Sequence, residues 1–173
     1  EIVETDVDPS SDQAYRLICV ELDKFGVCCF SESCSNINMW SHYAERHSGA
    51  CVGFETGDDF FKDLQRVDYE YERHDFDLRN DVQEDIVRKV MLRKYESWIN
   101  EQEWRLLRKP GGEPVSFNPD TLTQVIFGAR CPESRQKLVR KLLDHRNVEF
   151  YQAQVDRYEY KLNILPCVEQ QGH

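Results

Sequence analysis

Two kinds of hydrophobic period alternate along the chain, and this alternation limits the folds that the sequence can adopt. Apolar residues recur at helical spacing over residues 15–25, 36–47, 80–91 and 132–143. Short apolar or alternating stretches between them have the period of strands, over residues 27–31, 50–55, 66–72, 102–107, 123–127, 148–152 and 158–164. The first of these strands is predicted to be buried, and residues 115–117 to form a hairpin with the strand over residues 102–107. Ser35 or Asn36 is predicted to cap the second helix, and Asn80 with Gln83 to open the third as a capping box. Strands scattered among helices predict an α+β fold, in which helices pack on a mixed, largely antiparallel sheet.

The length of 173 residues suits a single domain with a hydrophobic core. We expect an acidic tail or loop over residues 1–12, one α+β domain over residues 13–166 and a C-terminal tail over residues 167–173. The helical stripe around Trp40 and the strand alternation around Trp104 predict that both indoles are buried, in elements that pack on one sheet.

Composition excludes several classes of function. The net charge of -10 argues against general nucleic-acid binding, which depends on a basic surface. No apolar run approaches the roughly 18 residues that span a bilayer, so no membrane association is expected. The 7 cysteines form neither a disulfide framework nor a Cys-x-x-Cys pair. We therefore expect free thiols in a reducing cytoplasm and no metal site.

Two short segments combine large aromatic rings with side chains that titrate or hydrogen-bond. Residues 39–44 are Met-Trp-Ser-His-Tyr-Ala, and residues 101–105 are Glu-Gln-Glu-Trp-Arg. Such clusters are typical of a ligand pocket. In the first segment, His42 is a candidate acid or base and Tyr43 a candidate stacking group. Trp40 is a candidate ligand contact or, more simply, a core anchor.

Strand alternation would place Glu101, Glu103 and Arg105 on one open face, with Trp104 and Leu106 directed to the core. The simplest interpretation of the open face is a solvated ladder of ion pairs. The functional interpretation is a pair of catalytic carboxylates with Arg105 beside them to bind a ligand. The sequence leaves both interpretations open.

Several of these residues resemble DUF2971, a bacterial family of unknown function. The resemblance extends over residues 27–128 and rests on Phe30-Ser31, segment 39–44, Gly49, Gly53-Phe54 and Glu101-x-Glu103-Trp104-Arg105. Members of the family usually carry an upstream block with a Phe-Asn-Asp-Pro element, which this sequence does not show. The resemblance therefore implies a site that a second polypeptide can complete.

The Glu-x-Glu pair and the earlier Ser31-Glu32-Ser33 are similar to the pattern of arginine–serine–glutamate ADP-ribosyltransferases. This similarity implies NAD as a substrate and Glu103 as the carboxylate that holds a ribose hydroxyl and stabilises the oxocarbenium charge. It also implies that Glu101 faces the acceptor, while Ser31 and Ser33 shape the pocket.

Two functions of different classes follow. One is an NAD-using ADP-ribosyltransferase or glycohydrolase, such as a toxin or defence effector, with a cleft lined by Ser31, His42 and Glu103. The other is a non-catalytic module that binds a small nucleotide-like ligand or a protein partner through the same cleft. Convergence of the three residues would favour the enzyme.

Overall fold

The computed structural model describes residues 9–72 and 83–167. Contacts divide the chain into two compact units, and each unit takes residues from two separate stretches. The first unit draws on Glu1–Phe30 and Asp63–Val115, and the second on Ser31–Lys62 and Ser116–His173. The expected limits of one domain, residues 13–166, stay a prediction.

Four helices and nine strands are found among the described residues. In chain order they are α1 (Pro9–Leu22), β1 (Gly26–Ser31), α2 (Ile37–Tyr43), β2 (Ala50–Phe54), β3 (Gln65–Arg66), β4 (Asp68–Glu70), α3 (Gln83–Met91), β5 (Arg93–Tyr95), β6 (Glu103–Arg108), β7 (Leu122–Phe127), α4 (Glu133–Leu142), β8 (Glu149–Val155) and β9 (Leu162–Pro166). Single 3-10 turns lie at Asp59–Phe61 and Pro119–Thr121, and a longer 3-10 helix at Glu96–Glu101 precedes β6.

The first unit contains two small sheets. Strand β6 lies between β1 and β3 in a three-stranded sheet, and β3 is antiparallel to β6. Strand β4 pairs in parallel with β5. Two carboxylates, Glu101 and Glu103, are buried in this unit. Its buried apolar residues are Val67, Ile86, Val87 and Leu106.

The second unit is a four-stranded sheet in the order β2-β7-β8-β9 with apolar groups on both faces. Strands β7 and β8 are parallel, as expected for a pair connected through helix α4, and the other neighbours are antiparallel. Because side chains alternate along β7, Ile126 joins a cluster with Trp40 of α2, while Val125 and Phe127 join a second cluster that includes Val139. These two clusters form the apolar core of the unit.

The predicted α+β class with a mixed, largely antiparallel sheet is confirmed. Several predicted strands are also present, among them β2, β7 and β8. The predicted strand over residues 27–31 exists, but Val27, Cys28 and Cys29 are exposed, so its predicted burial is wrong. No strand forms over residues 115–117, which were predicted to pair in a hairpin.

The predicted helix over residues 36–47 ends early, at Tyr43. Of the two predicted caps, Ser35 and Asn36, the structure has Asn36, whose side chain accepts hydrogen bonds from the N–H groups of residues 38 and 39. Beyond it, Glu45, Arg46 and His47 adopt positive φ angles of 46°, 54° and 70°. A tight contact fixes this turn: a β carbon on Gly128 would lie 2.2 Å from the His47 carbonyl oxygen. The backbone at residue 128 therefore packs against the turn that follows the helix, a contact that the helical period does not predict.

Helix α1 begins at Pro9, so the predicted tail over residues 1–12 is wrong for its last four residues. Residues 1–8, the predicted capping box at Asn80 and residues 168–173 of the predicted C-terminal tail lie outside the described residues.

The two tryptophans differ in burial and in the sheet that they meet. Trp40 is only 3% exposed and packs in the apolar core of the four-stranded sheet, which confirms its predicted burial. Trp104 is half-buried and lies in β6 of the three-stranded sheet. The prediction that both indoles pack on one sheet is therefore wrong.

None of the helices that the structure describes combines the length and the apolarity that a transmembrane span requires.

Candidate functional site

The two carboxylates of the Glu-x-Glu motif converge because the backbone reverses between them. Glu101 is the last residue of the 3-10 helix Glu96–Glu101, and Glu103 is the first residue of β6. Gln102 between them is left-handed, with a φ of 47°. The predicted strand over residues 102–107 thus begins one residue later, and Glu101 is not part of it. Strand alternation does not bring the two carboxylates together; the turn at Gln102 does.

Both carboxylates bind the ammonium of Lys94, which projects from β5. The Lys94 Nζ atom donates to Glu101 Oε2 and, at 3.0 Å, to Glu103 Oε2. Glu101 is 6% exposed and Glu103 is 5% exposed, so these are buried contacts. The prediction of an open face, and with it the solvated ladder, is wrong, because both carboxylates are buried and bind the Lys94 ammonium.

Arg105 holds the Glu103 carboxylate from the other side. Its Nε donates to Glu103 Oε1 at 2.8 Å and its Nη2 donates to Oε2 at 3.1 Å, a bidentate pair. The third nitrogen, Nη1, donates to the Met91 carbonyl. The Glu103 backbone N–H donates to the Tyr69 hydroxyl at 2.9 Å. Glu103 is therefore fixed at both its side chain and its backbone.

The charges of this cluster strongly perturb the groups within it. Burial raises the pKa of Glu103, but hydrogen bonds from Arg105, Cys29 and Lys94 outweigh burial and lower the pKa to about 2. Partial burial of the Cys29 thiol, together with the negative Glu103, raises the pKa of Cys29 to about 11. Burial lowers the pKa of Lys94, yet its two carboxylate partners raise it above its ordinary value. The carboxylate of Glu103 is thus an anion, and Cys29 is a neutral thiol, at physiological pH.

An aromatic ring borders the same ammonium. Lys94 Nζ lies 5.2 Å from the centre of the Trp98 ring, a cation–π contact, and the indole is 41% exposed. Tyr95 is also exposed, and its ring lies 5.9 Å from that of Tyr71. We call Lys94, Trp98, Glu101, Glu103 and Arg105 the Lys94 cluster. It surrounds one cation with two buried carboxylates and an accessible aromatic face.

The structure separates the predicted site residues into two sets. Glu101, Glu103 and Arg105 belong to the first unit and contact one another through the Lys94 cluster. The other five belong to the second unit: Ser31, Ser33, Trp40, His42 and Tyr43.

Ser31 and Ser33 hydrogen-bond to each other. The Ser33 N–H donates to Ser31 Oγ at 3.0 Å, and Ser31 Oγ lies 3.2 Å from the Ser33 carbonyl, to which it donates. This pattern closes a short turn at the end of β1. The turn fixes the conformation of Ser31 and Ser33 relative to each other.

The aromatic residues of α2 have contrasting surroundings. The Trp40 Nε1 group donates to the Cys34 carbonyl at 2.7 Å, and its ring lies in the core. His42 and Tyr43 are exposed, with their ring centres 6.3 Å apart in an edge arrangement. Of the three, only His42 and Tyr43 present their rings to solvent.

Sequence reasoning missed four residues of this region: Cys29, Tyr69, Lys94 and Trp98. Cys29, Tyr69 and Lys94 contact Glu103, Tyr69 through the Glu103 backbone N–H, and Trp98 contacts Lys94. The four residues come from four different segments of the first unit. The only available signal was a lysine and a tryptophan four residues apart, shortly before the Glu-x-Glu motif. That spacing is too common to indicate a site.

Sequence reasoning also missed a hydrogen bond in the second unit. Ser41 Oγ lies 2.9 Å from His47 Nε2, and Ser41 also donates to the Ile37 carbonyl. The Nδ1 atom of His47 is buried and has no hydrogen-bond partner. The left-handed turn brings the His47 imidazole back onto α2. The histidine beside Ser41 Oγ is thus His47, whereas the sequence had indicated His42 as the site histidine.

Among the described side chains, no three His, Cys, Asp or Glu residues are grouped so that they can hold a metal ion.

The comparison with known families agrees with the resemblance seen in the sequence. Residues 39–106 match the model of a family described as a protein of unknown function, DUF2971. The matched range contains both aromatic-polar segments and the whole Lys94 cluster. No curated protein and no solved structure matches the chain.

Proposed function

For a chain whose residues 39–106 match DUF2971, we propose that the Lys94 cluster binds a nucleotide-like ligand with a cationic ring. The first candidate is NAD, used by an ADP-ribosyltransferase or glycohydrolase reaction in which Glu103 is the catalytic carboxylate. Every group in this proposal belongs to the first unit.

One observation carries the proposal: the ammonium of Lys94 occupies a complete cation site. Two carboxylates bind it, and the exposed face of Trp98 lies beside it. The nicotinium ring of NAD, and the ribosyl cation formed when that ring leaves, are cations that the same groups would stabilise. Lysine has a flexible stem, so its ammonium can move aside when another cation enters.

The chemistry assigned to the cluster is cleavage of the bond between ribose and nicotinamide. Nicotinamide leaves with the electron pair of the broken bond, and positive charge develops on the ribose. The Glu103 carboxylate, which is ionised because its pKa is lowered to about 2, stabilises that charge. Water or an acceptor group then attacks the ribose carbon, and Glu101 receives the proton that the attacking group loses.

A specific observation supports the alternative, a non-catalytic binding module. Both oxygens of Glu103 are already bound, by Arg105 and Lys94, so its negative charge is balanced. A carboxylate in this state can fix the shape of a binding surface without taking part in a reaction. The exposed rings of Trp98 and Tyr95 would then stack on the base of the ligand.

The proposed compartment is the cytoplasm. All seven cysteines are free, including the adjacent Cys28 and Cys29 on β1. A reducing environment maintains free thiols of this kind.

The deciding experiment measures nicotinamide release from NAD by the intact chain, with and without candidate acceptors. We expect Glu103→Gln to lower the rate by about 10²–10³, as for the loss of one well-placed electrostatic group. Glu101→Gln should impair transfer to an acceptor more than hydrolysis. Glu70→Gln is the matched control, because Glu70 is a half-buried carboxylate of the same unit that pairs with Arg93 outside the cluster.

Binding and turnover are separated by measuring thermal stabilisation by NAD in parallel. All rates are taken at a temperature at which circular dichroism shows each variant folded, since Glu103→Gln also breaks ion pairs. Stabilisation by NAD without nicotinamide release would support the binding module. If NAD neither stabilises the chain nor releases nicotinamide, both forms of the proposal are overturned.

A further inference from the structure

A surface depression in the second unit is lined by residues outside segments 39–44 and 101–105. It forms where β7 and β8 begin, and its volume is about 290 Å³. Six residues line it: Pro119, Asp120, Leu122, Thr123, Arg146 and Asn147. This volume is at the small end of the range for ligand sites, about 300–1,000 Å³. The depression therefore suits a ligand much smaller than a dinucleotide.

Arg146 provides an unused cation to this depression. Its side chain is half-buried, and its guanidinium forms no hydrogen bond or ion pair with any described residue. Its backbone is fixed, since its N–H donates to the Leu143 carbonyl and its carbonyl accepts from the Val148 N–H, both at 3.0 Å. Because its nitrogens are not buried, the guanidinium is accessible from the depression. An anion there can accept its hydrogen bonds in bidentate geometry.

Asp120, an exposed residue, provides a carboxylate to the same depression. Its backbone N–H donates to Asn118 Oδ1 at 3.1 Å, within the 3-10 turn Pro119–Thr121. Its carboxylate has no hydrogen bond or ion pair among the described residues, and in particular none with Arg146. Two opposite charges thus line one small depression without neutralising each other.

We propose that this depression binds a small zwitterion, an α-amino acid. Arg146 binds the carboxylate of the amino acid, which matches the guanidinium in bidentate geometry. Asp120 binds its ammonium. Leu122 and Pro119 provide the apolar wall for its side chain, and the Thr123 hydroxyl and the Asn147 amide offer further hydrogen bonds. The proposal is independent of the function assigned to the Lys94 cluster.

The test is isothermal titration calorimetry of the intact chain with L-leucine and then with the other standard amino acids. We expect at least one amino acid to bind. For L-leucine, 4-methylpentanoate lacks the ammonium and 3-methylbutylamine lacks the carboxylate, and each should bind at least tenfold more weakly. If another amino acid binds, the same comparison uses its analogue without the ammonium and its analogue without the carboxylate.

Variants locate the binding. Arg146→Gln and Asp120→Asn should each weaken binding at least tenfold without change in the circular dichroism spectrum. Arg130→Gln is the control, because Arg130 is an exposed arginine of the same unit outside the depression; it should bind like the wild type.

Three results would overturn the proposal. The first is no binding by any amino acid at millimolar concentration. The second is binding that neither Arg146→Gln nor Asp120→Asn weakens. The third is equal binding of inorganic phosphate or of the analogue without an ammonium, which would make the depression a plain anion site.

Discussion

The two units bury chemically different interiors. The core of the second unit is apolar, with Trp40, Ile126 and Phe127 among its buried residues. The first unit buries Glu101 and Glu103 beside two partly buried cations. The stability of an apolar core depends on how well its side chains fill the available volume, so substitutions that conserve volume lower the stability little. A buried ionic cluster depends on pairing, so the loss of one partner leaves a charge without compensation.

The largest expected effect follows from breaking the ionic cluster. Arg105→Met removes the bidentate partner of Glu103, and we expect a loss of about 3–5 kcal/mol in the free energy of unfolding. Urea denaturation followed by circular dichroism measures it. The double variant Glu103→Met/Arg105→Met should regain most of this loss, because Lys94 then pairs with Glu101 alone. If the single variant is as stable as the wild type, the cluster does not stabilise the unit by pairing.

A second expected effect is a stability difference that depends on pH. The pKa of Glu103 is lowered from 4.5 to about 2 in the folded chain. Its stabilising contribution is therefore complete above pH 4.5 and is lost as the pH falls towards about 2. Glu103→Gln lacks this titration, so its stability should decline less steeply than that of the wild type over this range. Parallel acid-denaturation curves would contradict the assignment.

The apolar interior should respond more weakly to a conservative change. Ile126→Val removes one methylene from the cluster around Trp40, and we expect a loss of about 0.5–1.5 kcal/mol. The same loss should be found at pH 7 and pH 4, because no titrating group is involved. Urea denaturation at both values measures it. A loss that changes strongly with pH would show that the two interiors are not chemically distinct.

The smallest effect is expected for an ion pair outside both interiors. Glu133 and Lys137 form an exposed pair on α4, with 2.7 Å between the charged atoms. Solvent screens such a pair, so Glu133→Gln should leave the midpoint of thermal unfolding unchanged within error. A clear decrease would mean that surface pairing contributes to stability in this protein as burial does.

Local sequence patterns determined much of the fold. Strand period located β2 and β7, apolar stripes located α2 and α4, and the Asn36 cap followed from a residue type that satisfies free N–H groups. The α+β class and the burial of Trp40 followed from the same patterns. These features could be predicted because each depends on interactions within a few residues of the chain.

Tertiary structure alone decided what surrounds the Glu-x-Glu motif. The sequence indicated that Glu101, Glu103 and Arg105 act together, but it placed them on an open face. Their burial depends on Lys94, which reaches them through the pairing of β4 with β5 and the left-handed turn at Gln102. The left-handed turn that follows α2 likewise packs against Gly128, whose backbone approaches the His47 carbonyl. Such contacts join residues distant in sequence, and no local period records them.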